Sequence, residues 1–400
     1  MVGLISGTSM DGIDVAVADL RMAGAELEVA LRGHLTAGYP DRVREALIGS
    51  LPPAACTTVE LCELHTAAGQ AFAAAAVRGI DELAGGHADL VASLGQTVAH
   101  RVSDGRCLGT LQLGQPAWIA EATGLPVVAD LRARDVAAGG HGAPLAATLD
   151  RLWLAGMASA DRPAVAVNLG GIANITVVSG ADEPLAYDTG PGNALLDAAV
   201  RLISHGRLDL DTDGRLAARG TVRRDLLDTL LADPYYAMRP PKSTGKEHFR
   251  LGYLRRAVRG LPPIEDTDLL ATLVELTAAT VADACLAHRA GRVIASGGGV
   301  RNPTLMAALA RRLDPVPLST SDDLGLPSDA KEAVLAALLG FLTWHGVPAN
   351  PPSATGASGP RLLGSITPGR APLRLPAPWR RPISRLRLLD AALPVGGGRQ

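Results

Sequence analysis

The feature that most constrains the fold is a plan that occurs twice: an apolar strand, a glycine-rich polar turn and a second apolar strand. Its first copy places GTSMDGID, residues 7–14, between the apolar runs 2–5 and 15–20. Its second copy places Gly170 and Gly171 between the runs 164–168 and 175–178. Apolar runs on both sides of such a turn are typical of β-hairpins. Although the two sequences are not alike, this repetition indicates a duplicated architecture.

The rest of the chain alternates short apolar runs with segments of helical spacing. Strands are expected at 90–94, 127–130 and 292–295, and helices at 42–51, 59–83, 117–123, 269–288, 302–312 and 330–345. This alternation predicts an α/β sheet covered by helices. A chain of 400 residues exceeds what one core usually serves, so we expect two domains, the second starting near Pro163. Because only 3% of residues are aromatic, the core must consist mostly of Ala, Leu and Val.

Composition excludes several classes of protein. A net charge of −2 argues against a large nucleic-acid footprint. The four cysteines, Cys56, Cys62, Cys107 and Cys285, lack CxxC or metal-ligand spacing, which favours buried thiols in a reducing compartment. The N-terminus does not resemble a secretory signal, and the apolar run 333–344 is too short to span a bilayer. We therefore expect a soluble, cytoplasmic protein that binds neither nucleic acid nor membrane.

The chain changes character from Arg370 onward. The segment RAPLRLPAPWRRPISRLRLL is rich in arginine and proline, and three glycines follow at 396–398. A basic segment interrupted by proline is more often a disordered extension than a domain. We predict that residues 371–400 are disordered, with binding to a partner as the alternative.

Three glycine-rich turns, at 7–12, 170–171 and 297–299, each follow an apolar strand. Backbone N–H groups in such turns can hold phosphate, and phosphoryl transfer requires mainly that phosphates are held and the nucleophile aligned. An ordinary solvated hairpin is the alternative for the first turn. No G-x-G-x-x-G with a spaced acidic partner occurs, and in the run STGK at 243–246 the lysine is followed by Glu247 rather than Ser or Thr. Neither a Rossmann nor a P-loop protein is therefore expected.

The densest polar cluster is YDTGPGN at 187–193, ahead of an apolar helical pattern. Asp188 stands where a strand ends, and it either acts as a general base or simply satisfies turn amides. Asn193 is placed to cap the following helix. Glu332, behind Pro-Ser-Asp at 327–329, is either a helix cap or a second carboxylate of the site. Thr97, in a loop, and Arg132, whose planar fork suits a carboxylate or phosphate, are weaker candidates.

Together these segments resemble the anhydro-N-acetylmuramic acid kinase family. The resemblance covers roughly residues 1–370 and is most specific where GTSMDG and DTGPGN occur together. The matching segments are GTSMDGID (7–14), GQTVAH (95–100), TLQLGQPAWIAEATGLPVVADLRARDVAAGG (110–140), NLGGIANIT (168–176), DTGPGN (188–193), PKSTGKE (241–247), GGGVRNPTLM (297–306) and SATGAS (353–358).

The resemblance implies a fold and a reaction. The fold is α/β, with two ribonuclease-H-like domains of the sugar kinase, actin and Hsp70 group around an ATP cleft. The first domain would comprise 1–135 and 355–370, and the second 136–354. The reaction is the ATP-dependent opening of 1,6-anhydro-N-acetylmuramic acid, in which water attacks C1 and O6 takes the γ-phosphoryl group. Its products are N-acetylmuramic acid 6-phosphate and ADP, in peptidoglycan recycling, and a homodimer is expected.

The resemblance also implies roles for individual residues. Asp188 would be the base that activates the water, and Glu332 a second acidic residue near the sugar. Thr97 and Arg132 would line the sugar side, with Arg132 facing the lactyl carboxylate. ATP implies Mg²⁺, for which Asp11 is the expected contact. The residues assigned to ATP are Gly7, Thr8, Ser9, Met10, Asp11, Gly12, Ile13, Asp14, Gly170, Gly171, Gly297, Gly298 and Gly299.

Leu94, Val102 and His141 stand where the family usually has His, Pro and Gln, all in segments expected on the sugar side. These departures leave one alternative within the same fold, a nucleotide-binding protein that has lost activity toward the sugar. A glycosidase that uses Asp188 and Glu332 is a further alternative, but it leaves the glycine-rich turns unexplained.

Overall fold

The computed structural model describes residues 1–103, 105–180, 182–245 and 247–390. Its strands are β1 (Val2–Ser6), β2 (Ile13–Ala23), β3 (Glu26–Ala37), β4 (Val91–Ser103), β5 (Arg106–Leu113), β6 (Val127–Ala129), β7 (Ala164–Leu169), β8 (Ile172–Val178), β9 (Leu185–Pro191), β10 (Arg292–Ser296), β11 (Leu318–Thr320), β12 (Ser365–Thr367) and β13 (Arg385–Leu389). Its α-helices are α1 (Asp41–Gly49), α2 (Thr58–Ala84), α3 (Pro116–Thr123), α4 (Ala133–Ala137), α5 (Ala146–Leu154), α6 (Ala194–Ile203), α7 (Arg224–Leu231), α8 (Pro234–Ala237), α9 (Leu251–Ala257), α10 (Asp266–Ala287), α11 (Pro303–Leu313), α12 (Lys331–Trp344) and α13 (Pro352–Thr355).

The chain divides into two compact units. The first comprises Met1–Trp153 and the described residues from Asp329 onward, and the second is Leu154–Ser328. The domain boundaries expected at 135/136 and 354/355 are corrected accordingly, since 136–153 and 329–354 belong to the first unit. The physical reason is that α12 packs against β1 and β2, and its Lys331 forms a buried ion pair with Asp150 of α5 at 2.7 Å.

The first sheet has the strand order β12-β6-β4-β1-β2-β3-β13, with β5 paired to β4. Its centre is β1, which runs antiparallel to β2 and parallel to β4. β3 extends the antiparallel side, and β6 extends the parallel side. The turn 7–14 joins β1 to β2, as the sequence predicts.

The second sheet has the order β11-β10-β7-β8-β9 and repeats this plan. Here β7 is central, antiparallel to β8 and parallel to β10, while β9 and β11 extend the two sides. Five strands therefore have the same order and directions in both units, although their sequences differ. The predicted duplication and the α/β class with two ribonuclease-H-like domains are confirmed.

Small and aliphatic side chains fill both cores, as the composition predicts. The packing of α12 on the first sheet is close enough that a Cβ on Gly3 of β1 would lie 1.9 Å from the Ala333 carbonyl oxygen. In the second unit, α10 is buried along most of its length. Among the described helices, α10 has the length and apolar composition that would suffice to cross a membrane, and most of that stretch lies inside the unit.

Most of the elements that the sequence predicts begin and end within a few residues of their limits in the structure. The helix predicted at 59–83 is α2, which begins at a capping box between Thr57 and Glu60 and ends at Gly85 in the left-handed conformation. The strand predicted at 90–94 is longer, because β4 continues to Ser103 through its pairing with β5. Thr97 therefore lies within a strand rather than in a loop.

The predicted disorder of the C-terminal tail is wrong for its described part, residues 371–390. β13 pairs in parallel with β3, and Ser384 donates its backbone N–H to the Ala25 carbonyl at 2.9 Å. Arg385 and Arg387 form ion pairs with Glu26 and Glu28 on β3. The arginines of the tail thus have partners far away in sequence, which local composition does not reveal. Residues 391–400 lie outside the described residues.

Candidate active site

The turn 7–14 is held in shape by polar contacts to its backbone. Ser6 Oγ donates to the Gly12 carbonyl at 2.8 Å, and Arg44 Nε donates to the Met10 carbonyl at 2.8 Å. Met10 has φ 53°, in the left-handed region that non-glycine residues rarely adopt. A Cβ on Gly12 would lie 2.5 Å from Thr36 Cγ2 and 3.1 Å from the Ala37 carbonyl oxygen, so a larger residue would displace the neighbouring β3 side chain. These contacts give the turn a defined backbone conformation.

The turn residues differ in what their side chains can contact. Thr8, Ser9 and Asp11 are exposed, and Ser9 Oγ donates to Asp11 Oδ1 at 2.8 Å. Met10 and Ile13 are 1% and 0% exposed and belong to the core. Of the residues predicted to bind ATP, Met10 and Ile13 can therefore contribute only backbone groups.

Asp14 lies at the start of β2, close to two further carboxylates. Burial raises the pKa of Asp14, against the hydrogen bond that Thr36 Oγ1 donates at 2.7 Å. The negative charges of Asp11 and Asp329 raise this pKa further. An anionic site of this kind favours the approach of a cation.

Glu332 lies in the first turn of α12, near Arg132 and Asp14. The N-cap of α12 is Ala330 without a side-chain capping bond, so the interpretation of Glu332 as a helix cap is wrong. Its side chain reaches solvent, but surrounding protein limits its hydration and raises the pKa of its carboxyl group. The charge of Arg132 opposes this shift, whereas Asp14 adds to it. The structure thus brings together three predicted residues from distant parts of the chain.

Arg132 precedes α4, and two of its guanidinium nitrogens, Nη1 and Nε, differ in their hydrogen bonding. Nη1 donates to the Gly142 carbonyl at 2.8 Å. Nε is buried and has no hydrogen-bond partner among the described residues. Burial lowers the pKa of this guanidinium, and the nearby Glu332 raises it. A buried N–H without a partner is costly, so Arg132 suits an anionic ligand that would satisfy it.

Thr97 lies half-buried on β4, where Gln112 Nε2 donates to its Oγ1 at 3.2 Å. Further along β4 is His100, whose pKa is lowered by burial and by the positive charges of Arg132 and His141. The same strand therefore carries Thr97 and passes near Arg132.

The three departures from the family pattern have different surroundings. Leu94 is 4% exposed and belongs to the core, while Val102 is exposed near the end of β4. Only His141 lies next to the segment that holds Arg132, with its backbone N–H donated to the Thr355 carbonyl at 2.8 Å. The core position of Leu94 removes it from direct contact with a substrate.

Asp135 is a residue that the sequence analysis missed. It is 0% exposed and accepts hydrogen bonds of 2.7 Å from Gly142 N, Asn350 Nδ2 and Thr355 Oγ1. Because the Gly142 carbonyl accepts from Arg132, Asp135 fixes the loop that orients the guanidinium. The available signal is an aspartate ahead of the apolar run 136–138, but its partners near 350 cannot be read from local sequence.

Asp188 lies on β9 and is held by residues of the second unit. Tyr235 Oη donates to its carbonyl at 2.6 Å, and Thr244 N donates to its Oδ2 at 2.9 Å. Burial raises the pKa of Asp188 to about 6, the Thr244 hydrogen bond opposes this shift, and Glu247 adds to it. Among the residues that the structure describes, none donates to Oδ1. This oxygen can therefore accept a proton from a ligand.

The loop that contacts Asp188 is anchored by Lys242. Lys242 Nζ donates to the carbonyls of Tyr235 and Tyr236 at 2.9 and 3.1 Å and lies 4.5 Å from the centre of the Tyr235 ring. Its carbonyl accepts from the backbone N–H of Asp188 at 3.1 Å. The Lys242 amine thus hydrogen-bonds within the second unit and is not placed as a phosphate ligand. Lys246 lies outside the described residues.

The two glycine-rich turns of the second unit meet because β7 and β10 are parallel neighbours. Gly297 has φ 83°, and a Cβ there would lie 2.4 Å from Asn168 Oδ1. A Cβ on Gly299 would lie 2.6 Å from Leu169 Cβ, whereas one on Gly298 would meet nothing within 4 Å. Gly298 is therefore the exposed point of the turn, next to the end of β7.

The turn at Gly170 and Gly171 packs against the start of α6. The Gly170 carbonyl accepts from Asn193 N at 2.8 Å, and the Gly171 carbonyl accepts from Gly192 N at 3.0 Å. The predicted capping role of Asn193 is wrong, because its side chain makes no capping bond and instead donates Nδ2 to the Leu169 carbonyl at 3.2 Å. The second unit thus places Gly170, Gly171 and the DTGPGN segment side by side.

Among the described residues, no group of three or more His, Cys, Asp or Glu side chains is arranged to hold a metal ion.

The cysteines are free thiols. Cys285 is buried as expected, but Cys56 and Cys62 are exposed, so the prediction of buried thiols is wrong for these two. They lie at and near the start of α2, on its solvent side.

Comparison with known proteins places the chain in a family. The family model for anhydro-N-acetylmuramic acid kinase matches residues 1–369. The chain belongs to the anhydro-N-acetylmuramic acid kinase family. It is 58% identical over 389 residues to the family member of Streptomyces coelicolor, covering 97% of this chain and 99% of that one. The member from Rhodococcus erythropolis is 50% identical, covering 92% and 94% of the two chains. The member from Synechococcus elongatus is 41% identical, covering 92% and 98%.

Family membership confirms the resemblance found in the sequence. The match of the family model ends before the basic tail, so β13 lies outside it, while Asp188, Arg132 and Glu332 lie inside. The alternative of a nucleotide-binding protein without sugar kinase activity has no support among these relatives.

We predict that Asp135→Asn destabilises the protein. An amide NH₂ would face the Gly142 N–H or the Asn350 and Thr355 donors, so at least one charged hydrogen bond is lost. The expected loss in the free energy of unfolding is about 1.5–3 kcal/mol, measured by denaturant titration. The matched control is Asp81→Asn at an exposed position of α2, which should have no effect. Equal stability of both variants would contradict a fixing role for Asp135.

Proposed function

We propose that this protein opens 1,6-anhydro-N-acetylmuramic acid with water and phosphorylates O6 with ATP. The products are N-acetylmuramic acid 6-phosphate and ADP, formed in the cytoplasm during the recycling of peptidoglycan. The observation that carries the proposal is the Asp188 carboxylate, with a raised pKa and an oxygen to which no described residue donates, in a chain of this family. A carboxylate in this state is suited to remove a proton from water at neutral pH.

The reaction balances with Asp188 as the base. One proton of the water passes to the Asp188 carboxylate as the water oxygen bonds to C1. The bond between C1 and O6 breaks, and O6 keeps its electron pair and takes the γ-phosphoryl group. ADP leaves with the electrons of the broken phosphate bond. Because the pKa of Asp188 is about 6, it is ionised at neutral pH yet more basic than an ordinary aspartate.

We assign the phosphates of ATP to the glycine-rich turns. In the first unit, backbone N–H groups of residues 7–14 and the hydroxyls of Thr8 and Ser9 are the candidate donors. In the second unit, the nucleotide is assigned to Gly170, Gly171 and the turn 297–299, where exposed Gly298 leaves room for close approach. Turns of this kind bind anions through backbone dipoles without requiring a basic side chain.

Magnesium fits the residues of the first turn. Asp11 presents an exposed carboxylate, and its charge acts on Asp14. Mg²⁺ is commonly held by one or two carboxylates together with substrate phosphates and waters, so a larger cluster of ligands is not required. When bound, it would neutralise phosphate charge. We therefore assign Asp11 as its contact, with Asp14 beside it.

We assign the sugar to residues around Arg132. The Nε of Arg132 that lacks a partner among the described residues suits the lactyl carboxylate, with Thr97 on β4 as a further contact. Glu332 is assigned as the second carboxylate near the sugar, held in place by the first turn of α12. A glycosidase that uses only Asp188 and Glu332 would need neither ATP nor the glycine-rich turns. We also propose that the protein forms a homodimer.

The direct test incubates purified protein with ATP, Mg²⁺ and 1,6-anhydro-N-acetylmuramic acid. The expected result is ADP formation that depends strictly on the sugar, with a sugar 6-phosphate identified by mass. Asp188→Asn should lower kcat by about 10²–10⁴-fold, because a general base contributes this much, while ATP binding is retained. Asp228→Asn, at an exposed position of α7, is the control. Ring opening without ATP would support the glycosidase, and a fully active Asp188→Asn would exclude Asp188 as the base.

The pH dependence of kcat/KM provides a separate prediction. The base must be deprotonated to act, so kcat/KM should fall as the pH drops through the pKa of Asp188, about 6. Glu247→Gln removes a negative charge that raises this pKa and should move the midpoint to lower pH. A midpoint near 4, as for an ordinary aspartate, would contradict the assignment.

A further inference from the structure

The hydroxyl of Thr244 is a buried polar group that the assignments above leave unused. Thr244 Oγ1 is buried and has no hydrogen-bond partner among the described residues. The backbone N–H of the same residue donates to Asp188 Oδ2 at 2.9 Å. Buried hydroxyls in folded proteins nearly always have a partner, because an unsatisfied one costs free energy. Since none of the described residues satisfies this hydroxyl, it is available to bind a ligand.

The position of this hydroxyl is fixed relative to the Asp188 carboxylate. Only three covalent bonds separate the N and Oγ1 atoms of a threonine, so the hydrogen bond to Oδ2 keeps Oγ1 near the carboxylate. The loop itself is tied down by Lys242, whose amine binds the carbonyls of Tyr235 and Tyr236 and whose carbonyl binds Asp188 N. A ligand that satisfies Thr244 Oγ1 is thus placed beside the proposed base.

We propose that Thr244 Oγ1 binds the attacking water together with Asp188. One O–H of the water donates to the Asp188 carboxylate and loses its proton there, while the other O–H donates to Thr244 Oγ1 and remains intact. In this proposal the two acceptors orient the water lone pair toward C1, which is the positioning on which such a reaction depends. This inference rests on the proposed function and adds a residue that binds the reacting water.

The test compares Thr244→Val and Thr244→Ser with the wild-type enzyme in the sugar-dependent assay. Valine keeps the shape and the backbone N–H that contacts Asp188 but lacks the hydroxyl, so kcat should fall about tenfold or more. The KM for ATP and the pH midpoint of kcat/KM should remain those of wild type, because the hydrogen bond to Oδ2 persists. Serine retains the hydroxyl and should keep kcat within about threefold of wild type.

Each other outcome has a defined meaning. An inactive wild-type enzyme contradicts the proposed function itself. With an active wild-type enzyme, wild-type kcat in Thr244→Val overturns the inference. A Thr244→Val variant in which the pH midpoint and the melting temperature shift together indicates a purely structural hydroxyl and also overturns it. If circular dichroism shows that Thr244→Val is unfolded, Thr244→Ala takes its place with the same expected results.

Discussion

The close packing of α12 on the first sheet is the constraint on which the arrangement of the candidate site depends. A Cβ added to Gly3 would lie 1.9 Å from the Ala333 carbonyl oxygen. A Cβ added to Gly340 would lie 2.4 Å from Ala92 Cβ. Larger residues would push the helix away from β1 and β4. Because Glu332 is in the first turn of α12, this contact also sets its position near Arg132 and Asp14. The two glycines at this contact thus help to determine where Glu332 lies.

In the second unit, close packing at glycine residues also determines the arrangement of the candidate site. Parallel pairing of β7 and β10 brings two glycine-rich turns together, and Gly297 and Gly299 approach Asn168 and Leu169 more closely than other residues could. Asp188 is held in the sheet by its pairing with Asn174 of β8, and its carboxylate is contacted by Thr244 in the loop 241–245. That loop is fixed by the Lys242 amine, which donates to the carbonyls of Tyr235 and Tyr236, so a lysine that is not assigned to phosphate shapes the surroundings of the base.

Local sequence was sufficient for the hairpins β1–β2 and β7–β8, for the helices α1, α2, α3, α6, α10, α11 and α12, and for the glycine-rich turns, because hydrophobic period and turn residues determine them. The other α-helices were not predicted. It was also sufficient to select Asp188 as a candidate base. It did not reveal Asp135, whose partners lie near residue 350, or β13, whose partners lie on β3. It also placed Asn193 and Glu332 as possible helix caps, which the structure does not support. The missed features depend on pairings between distant residues, to which neither composition nor spacing is sensitive.

The central claim is that water attacks C1 while O6 receives the phosphoryl group. Its most direct test is a reaction in water enriched in ¹⁸O, with products quenched early and analysed by mass spectrometry. The proposed mechanism predicts one ¹⁸O atom in the C1 hydroxyl of the product sugar and none in its 6-phosphate, because O6 comes from the substrate. A label in the phosphate group, or an unlabelled C1 hydroxyl, would contradict it.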